Sequence, residues 1–105
     1  MYLRLKYPVC SKPSVKVTPA PSLKSVFAAA NATDDKAHKI YLKNMSTTAS
    51  EYFEVQIADV VIGRLYAGDW AFLPWSADST GTNCDIDITP SANDMTIEYM
   101  LLTDE

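Results

Sequence analysis

Very few side chains in this 105-residue chain are of types that do chemistry. His38 is the single histidine, so any Ser/His or Cys/His catalytic set must use it as its neutral-pH base. It opens a strand-like run between Lys36 and Lys39 with no nucleophile signature beside it, and the expectation is a surface histidine. Asp85 and Asp87 share one face of an alternating run and, with Asp94 or Asp78, offer oxygen ligands of the kind Ca²⁺ takes. No loop has the ligand density or the glycine placement of a calcium loop, so these read as alternating surface acids, and no metal is expected. The glycines are Gly63, Gly68 and Gly81, too few and too scattered for a phosphate-cradling loop. Cys10 and Cys84 stand far apart and match no metal-ligand spacing, so two free thiols are expected. Trp70, Trp75, Tyr41, Tyr52 and Tyr66 can stack on sugar rings, or they can fill the core and subunit interfaces, where Trp and Tyr are enriched. The second use is the expected one. No cofactor is implied, and the reading is of a protein that is not an enzyme.

The elements that position these residues are strands. His38–Lys43 alternates with Ile40 and Leu42 on one face. Tyr52–Ala58 alternates with Phe53, Val55 and Ile57 inward. Cys84–Thr89 puts Ile86 and Ile88 opposite Asp85 and Asp87, and Met95–Leu102 turns Met95, Ile97, Tyr99 and Leu101 inward. Polar Ser/Thr loops and a Pro90–Asp94 turn separate them. In the stretch Arg64–Trp75, Gly68-Asp69 is a turn signal. It predicts a hairpin between Val60–Tyr66 and Trp70–Leu73, with Pro74 ending the second strand by removing a donor. Trp70 and Phe72 then share one face, and Ala71, Leu73 and Trp75 the other. Both faces are apolar, so one can pack into the domain's own core while the other needs a second layer or another protein chain. The expected core is Ile40, Leu42, Phe53, Val55, Ile57, Phe72, Ile86, Ile88, Ile97, Tyr99 and Leu101. Short strands with turns between them predict an all-β protein, a single antiparallel β-sandwich with a jelly-roll-like layout.

Residues 1–25 differ from the rest. Pro8, Pro13, Pro19 and Pro21 bar a helix and favour extended backbone. The alternating pieces Leu3–Tyr7 and Val15–Thr18 suit addition to a sheet edge. The expected organisation is therefore an extended basic arm over 1–25 and a sandwich domain over 26–105. Charge follows the same division: residues 1–33 carry five basic residues and no acid, while four basic residues stand against all 13 acids beyond them. Such asymmetry suits a tail that seeks an acidic partner. Nucleic acid is the weaker partner, because no aromatic-basic groove is evident. No apolar run approaches the ~20 residues that cross a bilayer, and no secretory pattern follows Arg4 and Lys6, so no membrane partner is expected.

From about Lys39 to Leu102 the chain resembles small β-sandwich virion proteins of tailed bacteriophages. The resemblance rests on I-Y-L-K-N followed by a Ser/Thr loop, on L-Y-A-G-D-W-A-F-L-P-W, and on the final T-I-E-Y-M-L-L. It implies a structural protein of the virion, a capsid decoration or cement protein that bridges neighbouring capsid subunits and forms a homo-oligomer, a trimer. Its partners would be the major capsid protein or other virion proteins. A tail, neck or fibre component and a carbohydrate-binding sandwich are the alternatives. The expected interface is Trp70, Phe72, Trp75 and Tyr66. Arm contacts to another chain are expected from Leu3, Arg4, Leu5, Lys6, Val15, Lys16 and Val17.

Overall fold

The computed structural model describes residues 9–10, 14–28, 38–75 and 84–103. Every regular element among them is a strand: β1 (Val9–Cys10), β2 (Ser14–Thr18), β3 (Lys24–Phe27), β4 (His38–Asn44), β5 (Tyr52–Ile57), β6 (Val60–Tyr66), β7 (Trp70–Trp75), β8 (Ile86–Pro90) and β9 (Met95–Thr103). All pairings are antiparallel. One sheet runs β1-β9-β4-β7, with β2 also on β9, and the other runs β3-β8-β5-β6. We call them sheets A and B. They pack face to face as a single β-sandwich, as the alternation predicts.

The core lies between the sheets. Ile40 and Leu42 of β4 and Met95 and Ile97 of β9 meet Phe53, Val55 and Leu65 of β5 and β6 and Ile86 and Ile88 of β8. Phe27 and Trp75 close one end, their rings 5.7 Å apart, with Tyr99 edge-on to Phe27 at 5.7 Å. Such tilted and edge-to-face pairs add to the area they bury. Of the expected core, Ile57, Tyr99 and Leu101 are half-buried against the cluster. Phe72 is a correction: it is exposed, and Trp75 takes the inward place instead. The period-2 alternation of β7 was right, but its inward set is Ala71, Leu73 and Trp75.

The expected hairpin is also corrected. β6 and β7 lie in different sheets, each at an edge, joined by a corner rather than a ladder. Gly68, with φ 82°, sits third in a turn closed by Asp69 N–H donating to the Tyr66 carbonyl (2.8 Å). Asn44 at the end of β4 holds this corner: its N–H donates to the Asp69 carbonyl (3.0 Å), and its carbonyl accepts from Gly68 N–H (2.9 Å). The true hairpin is β5–β6, turned by Ala58 and Asp59 alone at φ 53° and 63°. Two successive positive φ values match the twist of a two-residue hairpin. With β5 occupying one edge of β6, β7 pairs with β4.

Pro74 does not end β7. The Asn44–Asp69 bond fixes the alternation, so Lys39 and Pro74 face each other at a position without ladder bonds. The missing N–H then points to the free edge, where proline is tolerated. A third correction concerns the arm. Ser14–Thr18 pairs along β9 of its own chain, from Ser14↔Tyr99 to Thr18↔Met95, and β1 continues on the same strand. Thr18 is fully buried and donates its hydroxyl to the Met95 carbonyl (3.0 Å). The alternation in Val15–Thr18 was a strand signal, and β9 offers the nearest open edge. Leu3, Arg4, Leu5 and Lys6 lie outside the described residues.

Candidate functional site

The two sheets present different outer faces. On sheet B, Tyr52, Glu54, Arg64, Tyr66 and Thr89 point outward, and Tyr52, Arg64 and Tyr66 contact one another. The Arg64 guanidinium lies 4.3 Å over the Tyr52 ring and donates to the Tyr66 hydroxyl (3.3 Å), which holds the guanidinium's pKa above its usual value. The Tyr52 and Tyr66 rings are 5.3 Å apart. This cluster is polar and knitted together, while the start of β6 leaves Val60, Val61 and Ile62 exposed.

Sheet A is different. Register places Met100, Tyr41 and Phe72 in one row across β9, β4 and β7. The next row on one side is Val15, Glu98, Lys43 and Trp70, and on the other Leu102, Lys39 and Pro74. Trp70 is 65% exposed, Val15 62% and Phe72 42%. The face is therefore an apolar sheet surface crossed by two lysines and one acid. Its centre is pinned, because the Tyr41 hydroxyl donates to Glu98 Oε1 (2.8 Å) across two strands. That bond and the neighbouring carboxylate raise the Tyr41 pKa. Its contiguous part is Met100, Tyr41, Phe72 and the adjacent Trp70, with Val15 set apart by Glu98 and Lys43, and grouped apolar exposure of this kind marks an interaction site more often than chance exposure does.

The corner before β7 aims Trp70 and Phe72 onto this face. Asn44 is fully buried between the sheets. Its Nδ2 donates to the Leu65 carbonyl (2.9 Å) and the Glu51 carbonyl (3.3 Å), and its Oδ1 accepts from Ser46 N–H (2.8 Å). One side chain thus ties β4, the loop before β5, and β6. Asp69 caps the same corner by accepting from Tyr66 N–H (2.9 Å).

The four residues expected at the interface separate. Trp70 and Phe72 lie together on the outer face of sheet A. Trp75 is buried and donates its indole N–H to the Cys84 carbonyl (2.8 Å). Tyr66 is on the opposite face of the molecule. Val15 and Val17 are exposed on sheet A, while Lys16 is half-buried on the inward side opposite Ile97. Tyr41, Met100 and Leu102 join the surface without having been singled out for it. Alternation alone puts them outward, but only register shows that they meet Phe72.

His38 corrects another expectation. It is 3% exposed, packed on Trp75 at 5.9 Å between ring centres, with Nδ1 bonded to Thr103 Oγ1 (2.9 Å). Its role here is packing and pairing at the closed end of the core. Asp87 is buried, not a surface acid, and burial is the main reason its carboxyl is pushed up, with Asp85 and Asp59 adding to the effect and a Ser25 hydroxyl bond opposing it. Asp85 and Asp94 are exposed or half-exposed, and Asp78 lies outside the described residues. Among the described residues no group of three metal-ligating side chains converges, and Cys84 is a free thiol. Comparison with protein-family models and with curated proteins finds no match for this chain.

Proposed function

We propose that this protein is a structural component of a tailed-bacteriophage particle, a capsid decoration or cement protein that adheres through the outer face of sheet A and has no catalytic role. The observation that carries the reading is the state of the aromatic side chains on the two faces: Tyr52 and Tyr66 on sheet B are engaged with Arg64, whereas Trp70 and Phe72 stand exposed beside half-buried Tyr41 and Met100 on sheet A. Large aromatic anchors on a sheet, with Lys39, Lys43 and Glu98 interspersed, have the composition of a protein-binding patch. The partners would be the major capsid protein or another virion protein, at the surface of the virion, with the protein bound as a homo-oligomer. A tail or fibre position would use the same surface. Cosedimentation with empty capsids tests the reading: selective, saturable binding supports it, and recovery only in the unbound fraction of every particle preparation counts against it. The exposure of Trp70 also suits a sugar ring, so a selective signal on a mixed glycan array favours carbohydrate binding instead.

A further inference from the structure

A sheet edge is a row of unpaired N–H and C=O groups, and edges that must stay single carry devices against pairing. β1 is only two residues long. β2 carries Lys16 half-buried on its inward side. β3 has four residues, opens on Lys24 and loses register between Ser25 and Phe27. β6 is bulged where it passes Val55 and Gln56, and at its end Tyr66 N–H and C=O are both bonded to Asp69. β7 is different. It pairs with β4 without a break from Trp70 to Trp75, it carries no charged side chain, and no described strand lies beyond it. Its one device is Pro74, which removes a single donor near the end.

The alternation set by Asn44 and Asp69 determines what this edge offers. Leu42 with Ala71, and Ile40 with Leu73, are the bonded pairs of the β4–β7 ladder, so Trp70, Phe72 and Pro74 turn their backbone groups to the open side. The donors there are Trp70 N–H and Phe72 N–H. The acceptors are the carbonyls of Trp70, Phe72 and Pro74.

We propose that β7 pairs antiparallel with β7 of a second copy of this chain, about a two-fold axis at Phe72. In this register each Phe72 N–H donates to the other copy's Phe72 carbonyl, and each Trp70 N–H donates to the other copy's Pro74 carbonyl. Every donor of the edge is used, and proline falls where only its carbonyl is needed. Side chains agree. On the outer face Phe72 meets Phe72, and Trp70 meets the ring of Pro74. On the inner face Ala71 meets Leu73, small against large. Moving the axis one residue, to Ala71, also uses the donors but sets Leu73 against Asp69 at the corner. Charge selects the same strip: each chain has a net charge of −4, and β7 lets two like-charged copies meet without opposing charged side chains along the strand.

An edge that complements itself closes into a two-fold pair and leaves no further edge of the same kind to recruit a third copy. The product is a dimer, where the resemblance to virion proteins implies a trimer. Sheet A then runs through both copies. The outer row Met100, Tyr41, Phe72 continues into Phe72, Tyr41 and Met100 of the second copy, and spans about 24 Å at the usual strand spacing. The joined face would adhere as one surface, but the pairing itself does not depend on what that face adheres to.

Charge placed at the axis tests this, read by sedimentation velocity of the full chain. The wild type is expected to show a concentration-dependent monomer–dimer equilibrium. Phe72→Lys and Phe72→Glu, at an exposed position, each set like charges against one another across the axis. Each alone should associate at least about tenfold more weakly than wild type, with an unchanged circular dichroism spectrum. An equimolar mixture should form a 1:1 dimer, because opposite charges then face each other. Amide exchange of the wild type gives a readout that needs no substitution: the Trp70 and Phe72 N–H groups should gain protection as protein concentration rises. A wild type that stays monomeric to its solubility limit or forms trimers, variants that associate like wild type, a mixture without dimer, or Trp70 and Phe72 amides that exchange equally fast at every concentration would each overturn the proposal.

Discussion

Asn44 is where the core and the corner that carries Trp70 and Phe72 onto sheet A are joined, and replacing it tests that connection. Its side chain makes three hydrogen bonds in a fully buried position, at 2.8, 2.9 and 3.3 Å. A neutral hydrogen bond contributes about 1 ± 0.5 kcal/mol net, and a stranded buried partner costs more. The Leu65 carbonyl faces Phe53 across the β5–β6 ladder and the Glu51 contact is long, so these two count for less than the short bond from Ser46 N–H. Asn44→Ala is therefore expected to lose about 2–3 kcal/mol. Asn44→Asp is the sharper variant. It keeps the shape and the bond from Ser46, but an ionised carboxylate only accepts and would face the carbonyls of Leu65 and Glu51. The cost should equal or exceed that of alanine at pH 7, and it should shrink as acid protonates the carboxylate. Urea unfolding measures both, read as a fall in midpoint at constant m. If Asn44→Asp is within about 0.5 kcal/mol of wild type at pH 7, the typical range of a neutral surface substitution, the amide does not hold the sheets as argued.

Four other outcomes follow from particular residues. Ile97→Ala, at a fully buried core position, should cost about 2–5 kcal/mol in the same unfolding assay. Ala58→Asn should stabilise by about 0.5–1 kcal/mol, because asparagine tolerates the positive φ that alanine holds at strain in the β5–β6 turn; a destabilised variant would show the turn is not under strain. The raised Asp87 pKa means the folded state disfavours its charge, so this site's contribution to stability is greatest below the unfolded pKa and is lost as pH rises through the folded one. Asp87→Asn should accordingly be more stable than wild type at pH 7, with the advantage vanishing in acid; an advantage that persists in acid would assign it to another cause. Trp70→Ser, at an exposed position, should leave stability within about 0.5 kcal/mol while weakening attachment to particles.

Much of the sandwich was readable because its inner strands obey a two-residue period. Ile40 and Leu42, Phe53 and Val55, Ile86 and Ile88, and Ile97 all point where alternation puts them. Period says which face a residue takes but not which strand lies beside it. Gly68-Asp69 therefore looked like a hairpin turn, although a positive φ serves an inter-sheet corner equally well. The true hairpin at Ala58-Asp59 has no glycine to announce it. His38 begins its strand in phase with Ile40 and Leu42, so its burial was legible, but flanking lysines suggested a surface position. In β2, alternating valines indicated docking on an edge without saying that the edge was β9 of the same chain. Trp70 and Phe72 were placed on one face from sequence. Their row-mates Tyr41 and Met100 required the register of β7-β4-β9, which is a long-range property.

The central claim is that the outer face of sheet A is the adhesive one. Hydroxyl-radical footprinting of the protein free and bound to empty capsids tests it directly, since aromatic and methionine side chains are both reactive and present on the surfaces in question. Binding should protect Trp70, Phe72, Tyr41 and Met100 while leaving Tyr52 and Tyr66 on sheet B as reactive as in the free protein. Protection of Tyr52 and Tyr66 with Trp70 and Phe72 unchanged would contradict the account.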